Sequence, residues 1–201
     1  MWVRYGVMLV VLGLAGCQDP AVEGVAGLSR PATPQAAPEL RWAHRPEAAE
    51  WTDSTVLALK TQGAPLLTTV PTDIGEWCPA YPDADHTDRA YFWTGLLSAL
   101  AEYESNWRPE AAGGGGAWIG LMQISPRTAQ AYDCSATSAA ALKDGSENLA
   151  CAVRIMSASV ARDGVISQGR GGLAADWTPM RHGARRDAMA AWTRAQPYCK
   201  G

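Results

Sequence analysis

Hydrophobic residues recur at helical spacing along several stretches of the chain, whereas the alternating patterns of strands are few. Within the segment 149–156 only Arg154 is polar, and a helix that is apolar nearly all round is buried in a core. Thr87, Ser125 and Ser146 are suitable helix N-caps. The pattern predicts a mainly helical domain with helices at 48–61, 88–106, 126 to about 134, 147–163 and 184–194.

The first 16 residues resemble an export signal, because Arg4 supplies a positive charge and residues 7–15 form a short apolar run. This run is far shorter than the ~20 residues that a membrane-spanning helix needs. It ends in Leu-Ala-Gly before Cys17, which resembles a bacterial lipobox, the motif whose cysteine thiol accepts a diacylglyceryl group. The resemblance implies a signal peptide over residues 1–16 and a lipid anchor at Cys17. The alternative is an ordinary secretory signal with a chance cysteine.

The residues after the predicted lipidation site indicate location and domain organisation. Gln18, rather than Asp, follows the cysteine, which by the pattern known from enteric lipoproteins favours the outer membrane and a periplasmic domain. Residues 17–45 are rich in Pro, Ala and Gly with little apolar periodicity, which is typical of an extended or disordered tether. We therefore expect one folded domain over residues 46–201.

The charge balance argues against a nucleic-acid partner. Lys and Arg number 17 against 20 Asp and Glu, so the net charge is −3, whereas nucleic-acid-binding domains are usually strongly basic. Hydrophobic residues make up 47% of the chain, which is enough to bury a core. No Gly-x-Ser-x-Gly motif supports a serine nucleophile. No cofactor-binding motif is apparent either, so we expect chemistry without a cofactor.

The cysteines predict disulfides. Without Cys17, four of the five cysteines remain, and an even number in an exported chain allows two bridges with three connectivities. We favour Cys134–Cys151, which closes a short loop, and Cys78–Cys199, which ties the chain end to the start of the domain. A zinc site is the alternative, but the chain has no Cys-x-x-Cys pair and its three histidines are scattered, so we expect no metal.

One carboxylate extends an apolar stripe. On the helix over 88–106, Trp93, Leu97, Leu100 and Glu104 fall on one face. Desolvation and the negative end of the helix dipole both raise the pKa of a carboxyl there, so that it keeps a proton near neutrality, as a general acid must. Glu102 falls about 200° round the helix and is expected to be solvated. The alternative is that Glu104 is an ordinary exposed residue of the last turn.

Three segments carry a family resemblance. Residues 101–111 (AEYESNWRPEA), 120–129 (GLMQISPRTA) and the Asn148-Leu149 start of a core helix are similar to the soluble lytic transglycosylase (SLT) domain. The resemblance implies a lysozyme-like fold in which Glu104 is the single catalytic acid. It also implies that Ser105 shapes the surroundings of the acid, that Met122 and Gln123 line the groove beside the scissile bond, and that Asn148 is structural.

The activity that this resemblance implies is non-hydrolytic cleavage of the glycan strands of peptidoglycan. Glu104 would protonate the oxygen that links N-acetylmuramic acid (MurNAc) to N-acetylglucosamine (GlcNAc). It would then take the proton of the C6 hydroxyl, which closes onto C1 and leaves a 1,6-anhydroMurNAc end. One carboxylate suffices because the substrate supplies the nucleophile, whereas a hydrolytic glycosidase usually needs two.

The chain departs from the family pattern after the core helix. The Ala-Tyr-Asn-like motif is absent from residues 169–180, and either Trp177 or Tyr132 takes the place of its tyrosine at the substrate groove. Asp176 is a candidate second carboxylate, which makes a hydrolytic muramidase one alternative. A weakly active, peptidoglycan-binding envelope lipoprotein is the other.

Two further features allow more than one interpretation. The glycines at 113–116, followed by Trp118, form either a mobile flap over the glycan or, as we favour, a tight bend. A basic cluster near the C-terminus either meets acidic peptide stems or, as we favour, is a solvated helix face. The cluster comprises Arg181, His182, Arg185, Arg186 and Arg194.

Overall fold

The computed structural model describes residues 1–3, 6, 38–181 and 183–200, and its larger compact unit spans Ala36–Gly201. The predicted lipidation site Cys17, and all of the predicted signal peptide except residues 1–3 and 6, lie outside the described residues. None of the described helices is both long and apolar enough to cross a bilayer. The described helices are α1 (Ala48–Thr61), α2 (Ala64–Thr68), α3 (Ile74–Trp77), α4 (His86–Ser105), α5 (Pro126–Ala131), α6 (Gly145–Asp163) and α7 (Ala184–Arg194).

Two short antiparallel hairpins and several single turns of 3-10 helix accompany these helices. Strand β1 (Ala112–Gly113) pairs with β2 (Trp118–Ile119), and β3 (Ser167–Gln168) pairs with β4 (Gly171–Gly172). The domain is therefore mainly helical, as the hydrophobic pattern predicts. The bounds of α1 and α7 agree with the prediction, whereas the short helices α2 and α3 were not predicted, and α5 ends before the expected position.

Helix α4 forms the centre of the domain and packs against α1, α2 and α7. Every residue from Phe92 to Ala101 is buried. The prediction that Thr87 caps this helix is wrong, because the side chain of Asp85 accepts hydrogen bonds from the free N–H groups of Thr87 and Asp88. The helix ends where Asn106 adopts the left-handed conformation, with φ of 52°.

Helix α6 is the second buried helix and packs against α1. Its predicted N-cap is also corrected, since the Asp144 carboxylate accepts from the Glu147 N–H, while the Ser146 hydroxyl donates to Glu50. The helix ends at Gly164, whose φ of 67° favours glycine. The sequence therefore located both core helices but misassigned the residue that caps each of them.

The domain begins earlier than the predicted boundary at residue 46. Leu40 is only 5% exposed and Trp42 is fully buried, so the last part of the predicted tether belongs to the core. The Trp42 indole N–H donates to the Thr52 hydroxyl at 3.1 Å, and the Arg41 N–H donates to the Ser98 hydroxyl at 3.3 Å. The prolines of this segment suggested an extended chain, but two large apolar side chains bury enough surface to order it.

The structure pairs the four cysteines of the domain as we favoured from the sequence. Cys78 bonds to Cys199 across 121 residues, which ties the end of the chain to the region after α3. Cys134 bonds to Cys151 across 17 residues, which ties the end of α5 to α6. The first bridge therefore closes a loop that contains α4 and α6, and the second joins α6 to the segment after α5.

The burial of Trp42 leads to a stability prediction. Trp42→Ala should lower the free energy of unfolding by about 3–5 kcal/mol, because it leaves a large cavity in the core. Leu57→Ala is the matched control, since Leu57 is an apolar residue of α1 that is 63% exposed, and it should change stability by less than about 0.5 kcal/mol. Chemical denaturation of both variants measures the difference. Equal stability of Trp42→Ala and the unmodified protein would contradict the packed position of residues 38–45.

Candidate active site

Glu104 lies in the last turn of α4 and faces a cleft. The preceding stripe residues Trp93, Leu97 and Leu100 are fully buried, and Glu104 itself is half-buried where the stripe reaches the surface. The cleft has a volume of about 370 Å³. Its lining residues are Tyr103, Glu104, Trp118, Gln123, Asp176, Trp177, Thr178, Pro179 and Arg185.

The surroundings of Glu104 favour its protonated form. Burial raises the pKa of the Glu104 carboxyl from its ordinary value of 4.5 to about 7, and the positive charge of Arg185 opposes part of that shift. A carboxyl with this pKa holds a proton in a substantial fraction of molecules at neutral pH and still ionises readily. The side chain is therefore suited to give up a proton and to take one back.

Glu102 has a different environment from the one that we expected. Instead of being solvated, it is half-buried and forms an ion pair with Arg41. The expectation failed because residues 38–45, assigned to the tether, pack over this side of α4. Two glutamates of one helix turn therefore differ in role, since Glu102 has a permanent cationic partner and Glu104 faces open space in the cleft.

The end of α4 is held by Ser105 and the two residues after it. Ser105 is buried, donates to the Ala101 carbonyl at 3.1 Å and accepts from the Arg108 N–H at 3.2 Å. Asn106 and Trp107 both have a positive φ, and the Trp107 indole N–H donates to the Ser98 carbonyl at 2.8 Å. Ser105 therefore does not line the cleft; it fixes the helix end that carries Glu104.

The turn Gly120–Gln123 is fastened to α6 by Asn148. The Asn148 amide accepts from the Met122 N–H at 2.8 Å and donates to the carbonyls of Ile119 and Leu142 at 3.0 and 2.9 Å. A Cβ on Gly120 would lie 2.3 Å from this amide, so the turn needs glycine there. Met122 is fully buried behind the cleft, whereas Gln123 lines it.

Trp177, and not Tyr132, lies at the cleft. The Trp177 indole N–H donates to the Met122 carbonyl at 3.0 Å, which fixes the ring beside the turn. Tyr132 follows α5 and is not among the lining residues. Asp176 also lines the cleft and accepts a hydrogen bond from Ser159 at 2.5 Å. Partial burial raises the pKa of the Asp176 carboxyl, and the bond from Ser159 opposes this shift.

The glycine-rich segment is an ordered hairpin. In its register Ala112 faces Ile119 and Gly113 faces Trp118, and Ile119 also bridges to Ile124. These backbone pairs agree with the tight bend that we favoured over a mobile flap. The hairpin places Trp118 at the cleft. The sequence did not predict that Trp118 is a lining residue.

One residue of the predicted basic cluster reaches the cleft. Arg185 lies over the ring of Tyr103, with its guanidinium carbon 5.8 Å from the ring centroid. Arg186 instead pairs with Glu76 at 2.5 Å and lies 4.9 Å from the centroid of Trp77, and the side chain of His182 lies outside the described residues. Helical spacing alone could not show which arginine of α7 faces Glu104.

No group of three or more His, Cys, Asp or Glu side chains with the geometry of a metal site occurs in the part of the chain that the structure describes. The cleft lining contains the carboxyl groups of Glu104 and Asp176, the guanidinium group of Arg185 and the aromatic rings of Tyr103, Trp118 and Trp177.

The comparisons with known proteins agree with this geometry. The family model described as Transglycosylase SLT domain matches residues 84–165, which include α4, the turn Gly120–Gln123 and α6. Solved structures of Bd0314 DslA, namely wild-type form 2 and two mutants that each replace a glutamate with glutamine, match with TM-scores of 0.75, 0.77 and 0.74. Each is 27% identical and covers 83% of this chain and 100% of its own. No curated protein sequence matches.

The family match and the structural likeness cover the region in which Glu104, the Asn148-bound turn and the two core helices lie. The SLT domain supports lytic transglycosylase activity on peptidoglycan in the cell envelope at the level of the family. Residues 84–165 of this chain therefore match a transglycosylase SLT domain, and the fold is mainly helical and lysozyme-like.

Proposed function

We propose that the protein is a peptidoglycan lytic transglycosylase that cleaves the bond between MurNAc and GlcNAc with Glu104 as its only acid and base. The observation that carries this proposal is the half-buried carboxyl of Glu104, which has a pKa of about 7, belongs to the segment that matches the SLT domain and faces a cleft. A surface carboxylate with an ordinary pKa would be almost fully ionised at neutral pH and would have no proton to donate.

The proposed reaction uses one carboxyl twice. Glu104 donates its proton to the oxygen that joins MurNAc to GlcNAc, and the bond from C1 to that oxygen breaks. The N-acetyl group of the substrate stabilises the positive charge that develops at C1. The Glu104 carboxylate then removes the proton of the C6 hydroxyl, whose oxygen bonds to C1. Glu104 regains its proton, and the products are a free GlcNAc hydroxyl and a 1,6-anhydroMurNAc end.

The position of Arg185 supports this dual use. Its charge lowers the pKa of Glu104 against the larger effect of burial, so the carboxylate formed after proton donation is partly stabilised. The anchored end of α4 holds the carboxyl on a rigid element, which is the arrangement that accurate proton transfer requires. The acid and the cation come from α4 and α7, two helices that pack against each other.

Replacing the acid should abolish cleavage. Glu104→Gln is expected to lower the rate of glycan cleavage by about 10²–10⁴-fold, because the amide cannot transfer the proton. Glu102→Gln is the matched control in the same helix turn and should retain activity, since Glu102 is paired with Arg41 away from the cleft. Chromatography of purified peptidoglycan after incubation measures both rates. Full activity of Glu104→Gln would disprove the assignment of the acid.

Unfolding of Glu104→Gln at two pH values separates loss of chemistry from loss of fold. At pH 4 the carboxyl is largely protonated in both the folded and the unfolded chain, so the substitution should leave stability nearly unchanged. Above about pH 7 the carboxyl is ionised in both states, and its burial then destabilises the native protein. Glu104→Gln should therefore be more stable than the unmodified protein at pH 8.

The activity should depend on pH through the proton of Glu104. Because the acid must be protonated to begin the reaction, kcat/KM should fall as the pH rises through about 7. Arg185→Gln removes a charge that lowers this pKa, so its falling limb should move to higher pH, while Arg185→Lys should keep it nearer the original position. Rates measured from pH 5 to 9 test this. A limb that moves to lower pH in Arg185→Gln would contradict the proposed electrostatics.

A hydrolytic muramidase is the second candidate function, and the observation that favours it is Asp176 in the same cleft. In that mechanism Asp176 would act on water or on C1, and the product would be a reducing sugar end. The anhydro end is lighter by one water, so mass analysis of the products from the cleavage experiment distinguishes the two reactions. Asp176→Asn should leave cleavage intact in the transglycosylase and abolish it in the hydrolase.

We also propose that a lipid on Cys17 anchors the protein to the envelope, with the outer membrane as the favoured site and the domain on the periplasmic face. The lipobox-like sequence before Cys17 supports this proposal. A terminus with several acyl chains would be held stably, since one chain alone gives only marginal binding.

The anchor is tested by cell fractionation. Cys17→Ser should move the protein out of the outer-membrane fraction, because the serine cannot accept the thioether-linked lipid. Glu104→Gln should fractionate like the unmodified protein, since it leaves the N-terminus unchanged. Retention of Cys17→Ser in the outer-membrane fraction would contradict lipid anchoring at this residue.

A further inference from the structure

An exposed tryptophan faces the cleft of Glu104. Trp118 is 52% exposed, and the other large apolar side chains of comparable exposure among described residues of the folded unit are Leu57 and Val70. Of these three residues, Trp118 lines the cleft. A single exposed apolar residue is common on protein surfaces. This one lies in the same cleft as the acid, so its aromatic face is open to a ligand bound there.

The hairpin holds the indole in a defined position. Trp118 belongs to β2, which pairs with β1, and its six-membered ring packs against Gly114. A Cβ on Gly114 would lie 2.1 Å from the ring, and the φ of 55° there also favours glycine. The ring can therefore rest against the backbone only because Gly114 has no side chain.

The neighbouring glycine lies close to the cleft wall. A Cβ on Gly113 would lie 2.4 Å from the Oε1 of Gln123, and the amide N–H of Gln123 donates to the Gly120 carbonyl at 2.9 Å. The Gly120 N–H also donates to the carbonyl of Ala111, the residue before β1, at 2.8 Å, which joins the hairpin to the turn that Asn148 holds. A ring that is already positioned loses little conformational freedom when a ligand binds to it.

We propose that Trp118 is the stacking platform of a sugar-binding subsite beside Glu104, and that its ligand is an N-acetylhexosamine ring of the glycan strand. A pyranose ring has an apolar face of C–H groups and a rim of hydroxyl and amide groups. The indole offers a matching apolar face and one N–H donor, and no described residue accepts a hydrogen bond from that N–H. Gln123 and Arg185 supply polar groups along the same cleft.

This inference rests on the proposed function, because it takes the glycan strand as the ligand of the cleft. It adds a binding residue that the SLT resemblance does not supply, and it gives the glycine-rich segment a purpose. The glycines permit an aromatic ring to lie against the backbone at the rim of the cleft, where a branched or longer residue at 114 would displace it.

Binding in the absence of cleavage tests the subsite. In the full chain carrying Glu104→Gln, the Kd for soluble, peptide-free glycan strands is measured by calorimetry. Adding Trp118→Leu should weaken binding about five- to tenfold, which corresponds to the contribution of one aromatic contact. Trp118→Phe should have an intermediate effect because it keeps a smaller aromatic face. Leu57→Ala, an exposed apolar control on α1, should leave Kd unchanged.

Gly114→Ala provides an independent probe. It keeps the tryptophan at position 118 but displaces its ring, because the added methyl group would occupy the space where the ring lies. It should weaken binding as Trp118→Leu does while the protein remains folded by circular dichroism. Any of four results would overturn the inference. These are unchanged binding by Trp118→Leu, equal losses in Trp118→Leu and Trp118→Phe, a loss in Leu57→Ala, and no measurable binding by the Glu104→Gln protein.

The outcome is separable from that of the proposed function. If the unmodified protein cleaves glycan and Glu104→Gln does not, but the Trp118 variants bind equally well, only the stacking subsite is wrong. If the expected order of binding is found but Glu104→Gln retains full cleavage, the assignment of the acid fails and the subsite stands.

Discussion

The arrangement of the cleft depends on the hydrogen bonds of one buried amide. Asn148 accepts from the Met122 N–H and donates to the carbonyls of Ile119 and Leu142, so the turn between them is fixed to α6. From that turn the Met122 carbonyl holds Trp177, while Gln123 meets the glycine-rich hairpin. Loss of the amide would leave the Met122 N–H and the Leu142 carbonyl without a partner, at about 1–3 kcal/mol each. The positions of Trp177 and of the glycine-rich hairpin on the cleft therefore both depend on Asn148.

A second constraint gives two nearby glutamates different chemistry. The segment 38–45 packs against α4, and its Arg41 pairs with Glu102. Glu104 instead faces the cleft, where burial raises its pKa and the charge of Arg185 offsets only part of that rise. Environment, and not residue type, therefore separates the permanently paired carboxylate from the acid. The N-terminal segment contributes to this division, because without it Glu102 would lie on an open face of the helix.

Sequence periodicity was sufficient for the helices and for the face that carries Glu104, since burial follows the helical repeat. It was insufficient wherever a contact joins distant segments. The prolines around Leu40 and Trp42 concealed two core residues, and the resulting error extended to Glu102. Trp118 and Arg185 reach the cleft through a hairpin register and a helix rotation that local patterns do not encode. The choice of Asp85 over Thr87 as cap depended on local backbone geometry.

Several residues that line the cleft beside the acid lie after the segment that the family model matches. The match over 84–165 contains Glu104, but Arg185, Asp176 and Trp177 follow it in the chain. A reaction with one carboxyl needs the protonated and the ionised form within a single turnover, so neither form should be strongly disfavoured. Burial alone would favour the protonated acid further, and Arg185 moves the balance back towards a pKa of about 7. The C-terminal helix is therefore part of the acid–base chemistry, although its arginine lies outside the residues that the family model matches.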